Sequence, residues 1–172
     1  MKKYITLLSL LFISLFNVTP INAQEKNERT TSVYFIRHAE KDRSNPDERN
    51  PHLTDQGIQR AEKWAHFFKD IPLDAVYSTN YHRTIETAYP TAQQKGLEVI
   101  NYDPRILDPS PFVNKHKGRT ILIVGHSNTT PAFVNAFLGK KKYEDLSDTD
   151  NGSVFLVRYS DLEKNAVQYH VD

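Results

Sequence analysis

Short apolar runs alternate with amphipathic segments along this chain, which predicts strands followed by helices. Strands are predicted at residues 32–36, 75–78, 97–100, 120–124, 154–159 and 166–171. Helices are predicted at residues 54–69, 81–95 and 128–138, and Pro-rich or polar loops at residues 42–52 and 103–117. This alternation predicts a three-layer α/β/α sandwich with a largely parallel central sheet. The last two strands are expected to form an antiparallel hairpin at one sheet edge.

Local signals place the helix ends. Thr54 is a candidate N-cap of the first helix, whose apolar stripe is predicted to contain four residues with Trp64 beside it. The stripe consists of Ile58, Ala61, Ala65 and Phe68. Pro90 is expected to kink or interrupt the second helix, and Gly96 to end it.

The N-terminal segment has a sequence pattern different from that of the predicted domain. A cationic start, an uncharged apolar run and Ala23 are typical of a secretory signal peptide over residues 1–23. The apolar run is too short for a membrane anchor, so we expect cleavage after Ala23 and no stable membrane insertion. Residues 24–31 are expected to be a disordered lead-in, and residues 32–172 a single domain.

Composition removes several classes of function. The 172 residues include 22 Lys and Arg against 21 Asp and Glu, a balance that argues against nucleic-acid binding. The chain has no Cys, which excludes disulfides, a cysteine nucleophile and a thiolate zinc site. The mature protein is therefore expected to be exported, neutral and stabilised by its core, in the periplasm or outside the cell.

Basic and imidazole side chains follow three of the predicted strands. Arg37 and His38 follow the first, Arg83 lies just beyond the second, and His126 follows the most apolar one. Because parallel strands end at the same edge of a sheet, we expect these side chains to meet in one crevice.

Two guanidinium groups beside two imidazoles suit a tetrahedral dianion. Arg offers fixed, fork-shaped donors for phosphate oxygens, and its positive field disfavours protonation of a neighbouring His. A helix beginning near Asn128 adds backbone donors. The chemistry indicated is attack of an imidazole nitrogen on phosphorus, a phosphohistidine intermediate, and transfer to water.

Four motifs occur in order along the chain: Arg37-His38-Ala39-Glu40, Leu53-Thr54-Asp55-Gln56-Gly57, Ser78-Thr79 with Arg83-Thr84-Ile85-Glu86-Thr87-Ala88, and Gly125-His126-Ser127. Together they resemble the histidine phosphatase superfamily, in the branch that includes phosphoglycerate mutase and small bacterial phosphatases. Their order and positions at strand ends over about residues 33–138 make the resemblance specific.

The resemblance implies a role for each matching residue. His38 would be the phosphorylated nucleophile, Arg37 and Arg83 would bind the phosphoryl group, and His126 would bind its oxygens and stabilise the transition state. Ser127 would contribute as a backbone donor or form a turn, and the family implies no metal or organic cofactor.

Further polar residues carry weaker implications of the resemblance. Asn45 and Thr54 would donate hydrogen bonds to phosphate from the loop, and Thr54 could equally be the N-cap.

The proton donor is expected at Asp108 by position, although the family pattern has Glu there; Glu40 is the alternative. The remaining histidines have no spacing that fits metal binding and are predicted to be structural or exposed. They are His52, His66, His82, His116 and His170.

The resemblance implies a phosphatase acting on a small phosphorylated substrate or a phosphorylated surface molecule. Phosphoramidates or aryl phosphates would relax the need for a strong acid. The alternatives are a phosphoryl transferase or mutase of the same superfamily, a non-catalytic phosphate-binding module, and a metal-dependent phosphoesterase. The sequence leaves the oligomeric state open.

Overall fold

The computed structural model describes residues 30–106, 108–160 and 162–172. Its helices and strands follow one another in the order β1 (Thr31–Arg37), α1 (Asp55–Phe67), β2 (Ala75–Ser78), α2 (His82–Lys95), β3 (Val99–Asn101), α3 (Ser110–Lys115), β4 (Thr120–Gly125), α4 (Thr129–Leu138), β5 (Ser153–Tyr159) and β6 (Lys164–His170). The predicted signal peptide and residues 24–29 of the predicted lead-in lie outside the described residues, whereas Thr31 at the end of that lead-in is buried in β1. Within the described ranges, no helix combines the length and apolar character that crossing a bilayer requires.

The strands form one mixed six-stranded sheet in the order β3-β2-β4-β1-β5-β6. Strands β3, β2, β4 and β1 run parallel to one another, whereas β5 pairs antiparallel with β1 and β6 pairs antiparallel with β5 at the edge. This confirms the predicted sheet and its hairpin edge. The register pairs Arg37 with Gly125 and Ser78 with Val124, so β1, β2 and β4 end at the same edge.

Helices cover both faces of the sheet. Trp64 and Phe68 at α1, with Ala88 and Ala92 of α2, pack on one face. The other face is covered by Phe133, Val134 and Phe137 of α4, with Phe112 of α3 against them. Burial of these aromatic and aliphatic side chains is the main favourable contribution to folding in a chain without disulfides.

The structure differs from the local predictions at three places. Ile58 is 53% exposed, because the buried stripe of α1 is Gly57, Ala61, Trp64 and Ala65. Helix α2 continues through Pro90, so this residue does not interrupt the helix although it lacks a backbone donor. The predicted loop 103–117 contains the short helix α3.

Gly57 fits closely against the chain segment after β1. A Cβ at this position would lie 2.2 Å from the carbonyl oxygen of Glu40. The first turn of α1 therefore packs directly on the backbone that follows His38, which explains why glycine occurs here.

Candidate active site

The ends of β1, β2 and β4 open into a cleft of about 350 Å³. It is lined by Arg37, His38, Lys41, Tyr81, Arg83, Pro104, His126, Ser127, Asn128, Thr129 and Asp148. The structure therefore brings together the two histidines and two arginines that the sequence places at separate strand ends. The helix α4 begins at this cleft, as predicted.

Hydrogen bonds hold both the backbone and the ring of His38. Its backbone N–H donates to the carbonyl of Gly125 at 2.9 Å, and its backbone carbonyl accepts from Nδ2 of Asn151 at 2.8 Å. Ring Nδ1 lies 2.7 Å from the carbonyl oxygen of Ala39. Since a carbonyl only accepts, Nδ1 carries the hydrogen and Nε2 keeps its lone pair.

The surroundings of His38 favour its neutral form. Burial lowers the pKa of this imidazole to about 3, and the positive charges of Arg37 and Arg83 act in the same direction. A ring nitrogen with a permanently available lone pair is what nucleophilic attack on phosphorus requires.

His126 lies opposite, with ring centroids 5.5 Å apart and the rings inclined at 69°. Its Nε2 is 2.9 Å from Oγ1 of Thr79, and Nη2 of Arg83 is 3.5 Å from its Nδ1. Because guanidinium only donates, Nδ1 is the acceptor and Nε2–H donates to Thr79. Burial, together with the positive charges of Arg83, Arg37 and Lys41, lowers the pKa of His126 to about 4.

Arg83 projects from the first turn of α2. Its guanidinium carbon lies 4.5 Å from the ring centroid of Tyr81, whose ring also contacts His126 edge-on. Nε and Nη1 of Arg83 are buried and have no hydrogen-bond partner among the described residues. Such donors are costly unless an acceptor reaches them, so they suit the oxygens of a bound anion.

Arg37 is anchored to the segment that precedes β5. Nη1 donates to the carbonyls of Ser147 at 2.8 Å and Asp150 at 3.1 Å, and Nη2 donates to Asp148 at 3.0 Å. The second oxygen of Asp148 pairs with Arg43 at 2.7 Å. These contacts fix the guanidinium plane and leave its buried Nε without a partner among the described residues.

The predicted acids do not lie in this cleft. Asp108 is exposed and its carboxylate accepts from the N–H of Ser110 at 2.9 Å, a contact that lowers its pKa and keeps it ionised. Glu40 pairs with Arg60 at 2.7 Å and lines a neighbouring cavity that it shares with His38. Among the described residues that line the cleft, the acid is Asp148, whose pKa is lowered first by Arg43.

The predicted phosphate donors separate into two groups. Ser127 lines the cleft, whereas Asn45 is exposed and lines a different cavity. Oγ1 of Thr54 accepts from the N–H of Gly57 at 3.1 Å and donates to the carbonyl of Glu40 at 3.2 Å. The structure thus places Thr54 in the helix cap and outside the cleft lining.

Sequence reasoning missed four side chains of the site. Lys41 and Tyr81 each lie within three residues of a motif residue, so proximity along the chain was an available signal. Thr79 stands inside a motif, but only the tertiary structure pairs it with His126. Asp148 follows α4 in a polar segment that carries no motif.

Part of the chain matches a known protein family. Residues 33–107 match the model of the histidine phosphatase superfamily, branch 1. A search of curated proteins found no match.

Three solved structures show the fold. The protein histidine phosphatase SixA complexed with tungstate is similar with 14% identity and a TM-score of 0.63, over 81% of this chain and 96% of that one. The mycobacterial glucosyl-3-phosphoglycerate phosphatase is similar with 13% identity and a TM-score of 0.58, over 83% and 98%. Phosphoglycerate mutase from Bacillus anthracis is similar with 16% identity and a TM-score of 0.59, over 86% and 95%. Residues 33–107 thus match the histidine phosphatase superfamily, and the described domain has the fold that these solved structures share.

Proposed function

We propose that this protein is an exported phosphatase that hydrolyses phosphomonoesters or phosphoramidates through a phosphohistidine intermediate on His38. The observation that carries the proposal is the hydrogen bond from Nδ1 of His38 to the Ala39 carbonyl. It leaves the lone pair of Nε2 free in a cleft that also contains His126 and unpartnered donors of Arg83.

The reaction follows from these groups. Arg83, with Nε of Arg37, binds the oxygens of the phosphoryl group, and the lone pair of His38 Nε2 attacks phosphorus. The bond from phosphorus to the leaving group breaks, and its electron pair departs with that group. Water then attacks phosphorus, the P–N bond breaks, and its electrons return to Nε2, which releases inorganic phosphate.

The absence of a suitable acid from the described cleft lining indicates the substrate class. Asp148 stays ionised between Arg43 and Arg37 and so has no proton to donate near neutral pH. A leaving group that departs without protonation by the enzyme is therefore favoured. Aryl phosphates and the P–N bond of phosphohistidine meet this condition better than alkyl phosphates.

The named structural relatives support the same direction. One is a protein histidine phosphatase bound to tungstate, a tetrahedral oxyanion, and another is a glucosyl-3-phosphoglycerate phosphatase. The fold is also shared with a phosphoglycerate mutase. Phosphoryl transfer to an organic acceptor is consequently the second candidate, and its product distinguishes it from hydrolysis.

A substrate panel tests the proposal. The purified protein is assayed for phosphate release from p-nitrophenyl phosphate, phosphohistidine, sugar phosphates and phosphoserine, with and without a chelator. We expect chelator-insensitive release, fastest for the first two substrates, and its loss in His38→Ala but not in His66→Ala, an exposed control on α1. Phosphate transfer to an added alcohol or sugar would support the transferase, and binding without turnover would support a phosphate-binding module.

Export is a separate part of the proposal. The charged start, apolar run and Ala23 support cleavage of residues 1–23. N-terminal sequencing of protein from an exported fraction is expected to begin at Gln24. Recovery of the chain only inside the cell with its N-terminal segment intact would contradict export without affecting the proposed chemistry.

A further inference from the structure

A second cluster of histidines lies outside the cleft. His52, from the segment that precedes α1, meets His82 and Glu86 of α2, and the ligand atoms of all three residues lie within 4.8 Å of one another. His82 and Glu86 are four residues apart in one helix, so their side chains share a face. His52 lies 30 residues before His82 in the chain, so sequence spacing did not reveal the cluster.

The three side chains are already arranged around a common point. Nδ1 of His52 contacts Oε1 of Glu86, and the rings of His52 and His82 stack with centroids 4.2 Å apart and 12° between planes. The other carboxylate oxygen of Glu86 accepts from the N–H of Leu53 at 2.9 Å. That hydrogen bond orients the carboxylate so that Oε1 faces the imidazoles. Metal ligands in proteins are oriented in the same way by hydrogen bonds from surrounding groups.

The backbone on both sides of the cluster is also fixed. Oδ1 of Asn50 accepts from the N–H of His82 at 2.9 Å and so attaches the loop to the start of α2. His52 is 65% exposed, and His82 is exposed as well. The exposed imidazoles therefore have room to rotate, and each ligand atom would lie roughly 2.0–2.2 Å from a bound Zn²⁺ ion.

The local charge favours a cation here and disfavours one at the other histidine pair. Asp42 and Glu48 line the same cavity as His52 and His82. His38 and His126, by contrast, share their cleft with Arg37, Arg83 and Lys41. A divalent cation would meet carboxylates at the first pair and positive charges at the second.

We propose that His52, His82 and Glu86 bind a divalent transition-metal ion of the Zn²⁺ class. Two imidazoles and one carboxylate are a ligand set typical of Zn²⁺, with water at the remaining position. The ion would join the loop over residues 42–53 to α2, one residue before Arg83. Its role would be to stabilise the rim of the cleft, and the inference does not depend on the proposed function.

Calorimetric titration of the chelator-treated protein with ZnCl₂ tests this site. We expect one Zn²⁺ per chain, with affinity reduced on the order of 10- to 100-fold in Glu86→Gln and in the double variant His52→Asn/His82→Asn. Glu86→Gln keeps an oxygen for the Leu53 N–H, so its fold should be preserved, which circular dichroism checks. His66→Asn and His38→Ala are expected to bind Zn²⁺ like the wild type.

Thermal unfolding gives a second readout. Zn²⁺ at about 100 times its Kd is expected to raise the Tm of the wild type by about 5 °C or more, and that of Glu86→Gln much less. Unchanged binding in the double variant, or binding lost in His38→Ala, would overturn the proposal. Neither result would bear on phosphatase activity, which the substrate panel measures separately.

Discussion

His126 donates from Nε2 to Oγ1 of Thr79 across 2.9 Å, a contact between residues 47 positions apart in the chain. Oγ1 of Thr79 lies 2.9 Å from Oγ1 of Thr84. The Thr84 hydroxyl is also within hydrogen-bond distance of the carbonyls of Thr79 and Tyr81. This series of hydroxyls fixes one tautomer of His126 and directs Nδ1 toward Arg83. Thr79 is therefore a positioning residue in this account.

Thr79→Val should disturb that tautomer while leaving the buried volume nearly unchanged. We expect kcat for p-nitrophenyl phosphate to fall on the order of tenfold or more with little change in KM, because His126 loses its fixed orientation. Thr79→Ser restores the hydroxyl and is the matched control. A purely structural role would instead lower Tm in Thr79→Val without separating kcat from KM.

Arg83→Lys should show that fork-shaped donation, and not charge alone, binds the phosphoryl group. A lysine keeps the positive charge but cannot offer two parallel N–H donors. We expect kcat/KM to fall on the order of 100-fold, measured by steady-state kinetics on an aryl phosphate. Arg119→Lys, on the exposed surface, serves as control; equal activities in the two variants would contradict the assignment.

Thr54→Ala tests whether this residue caps a helix or binds substrate. Loss of the cap bond to Gly57 should cost about 1 kcal/mol of unfolding free energy, while kcat/KM stays within about twofold of wild type because Thr54 does not line the cleft. Thr54→Ser should recover the stability. Denaturant unfolding measures the first quantity, and a raised KM would reassign Thr54 to substrate binding.

The lowered pKa values of His38 and His126, about 3 and about 4, predict neutral rings in weak acid. Nuclear magnetic resonance of the two imidazoles, assigned with the His38→Ala and His126→Ala variants, should show no titration between pH 7 and pH 5. An ordinary histidine would be almost fully protonated at pH 5. Titration of either ring near pH 6.5 would mean that burial and Arg83 do not control it.

The same shifts make stability depend on pH in a defined direction. In the unfolded chain both histidines take up a proton near pH 6.5, whereas in the folded protein they do so only near pH 3 to 4. The unfolded state binds more protons in between, so the unfolding free energy falls as pH falls through this window, by about 1.4 kcal/mol per unit for each histidine. His38→Ala should show a shallower fall.

The sequence predicted the architecture well because periodicity and strand-end chemistry are local signals. The apolar runs located all six strands, and Gly96 ends α2 with a positive φ of 65°, as its lack of a side chain allows. Ile58 was misplaced because its spacing fits a stripe about as well as that of Gly57, and the contact of Gly57 with Glu40 decides which faces inward.

The same distinction between local signals and tertiary contacts decides which site residues could be predicted. Residues in ordered motifs at parallel strand ends were predicted to meet, and the cleft contains Arg37, His38, Arg83 and His126. Residues whose position depends on tertiary contacts were not found: Asp148 reaches Arg37 only because β5 pairs with β1, and His52 reaches His82 only when the loop packs on α2. No local pattern encodes either contact.

Trapping of the phosphorylated protein tests the central claim most directly. Rapid mixing with a ³²P-labelled substrate, an alkaline quench that preserves phosphohistidine, and peptide mapping should locate the label on His38. His38→Ala should give no labelled protein, whereas His126→Ala should still be labelled, more slowly. Label on another residue, or turnover by His38→Ala at the wild-type rate, would contradict the account.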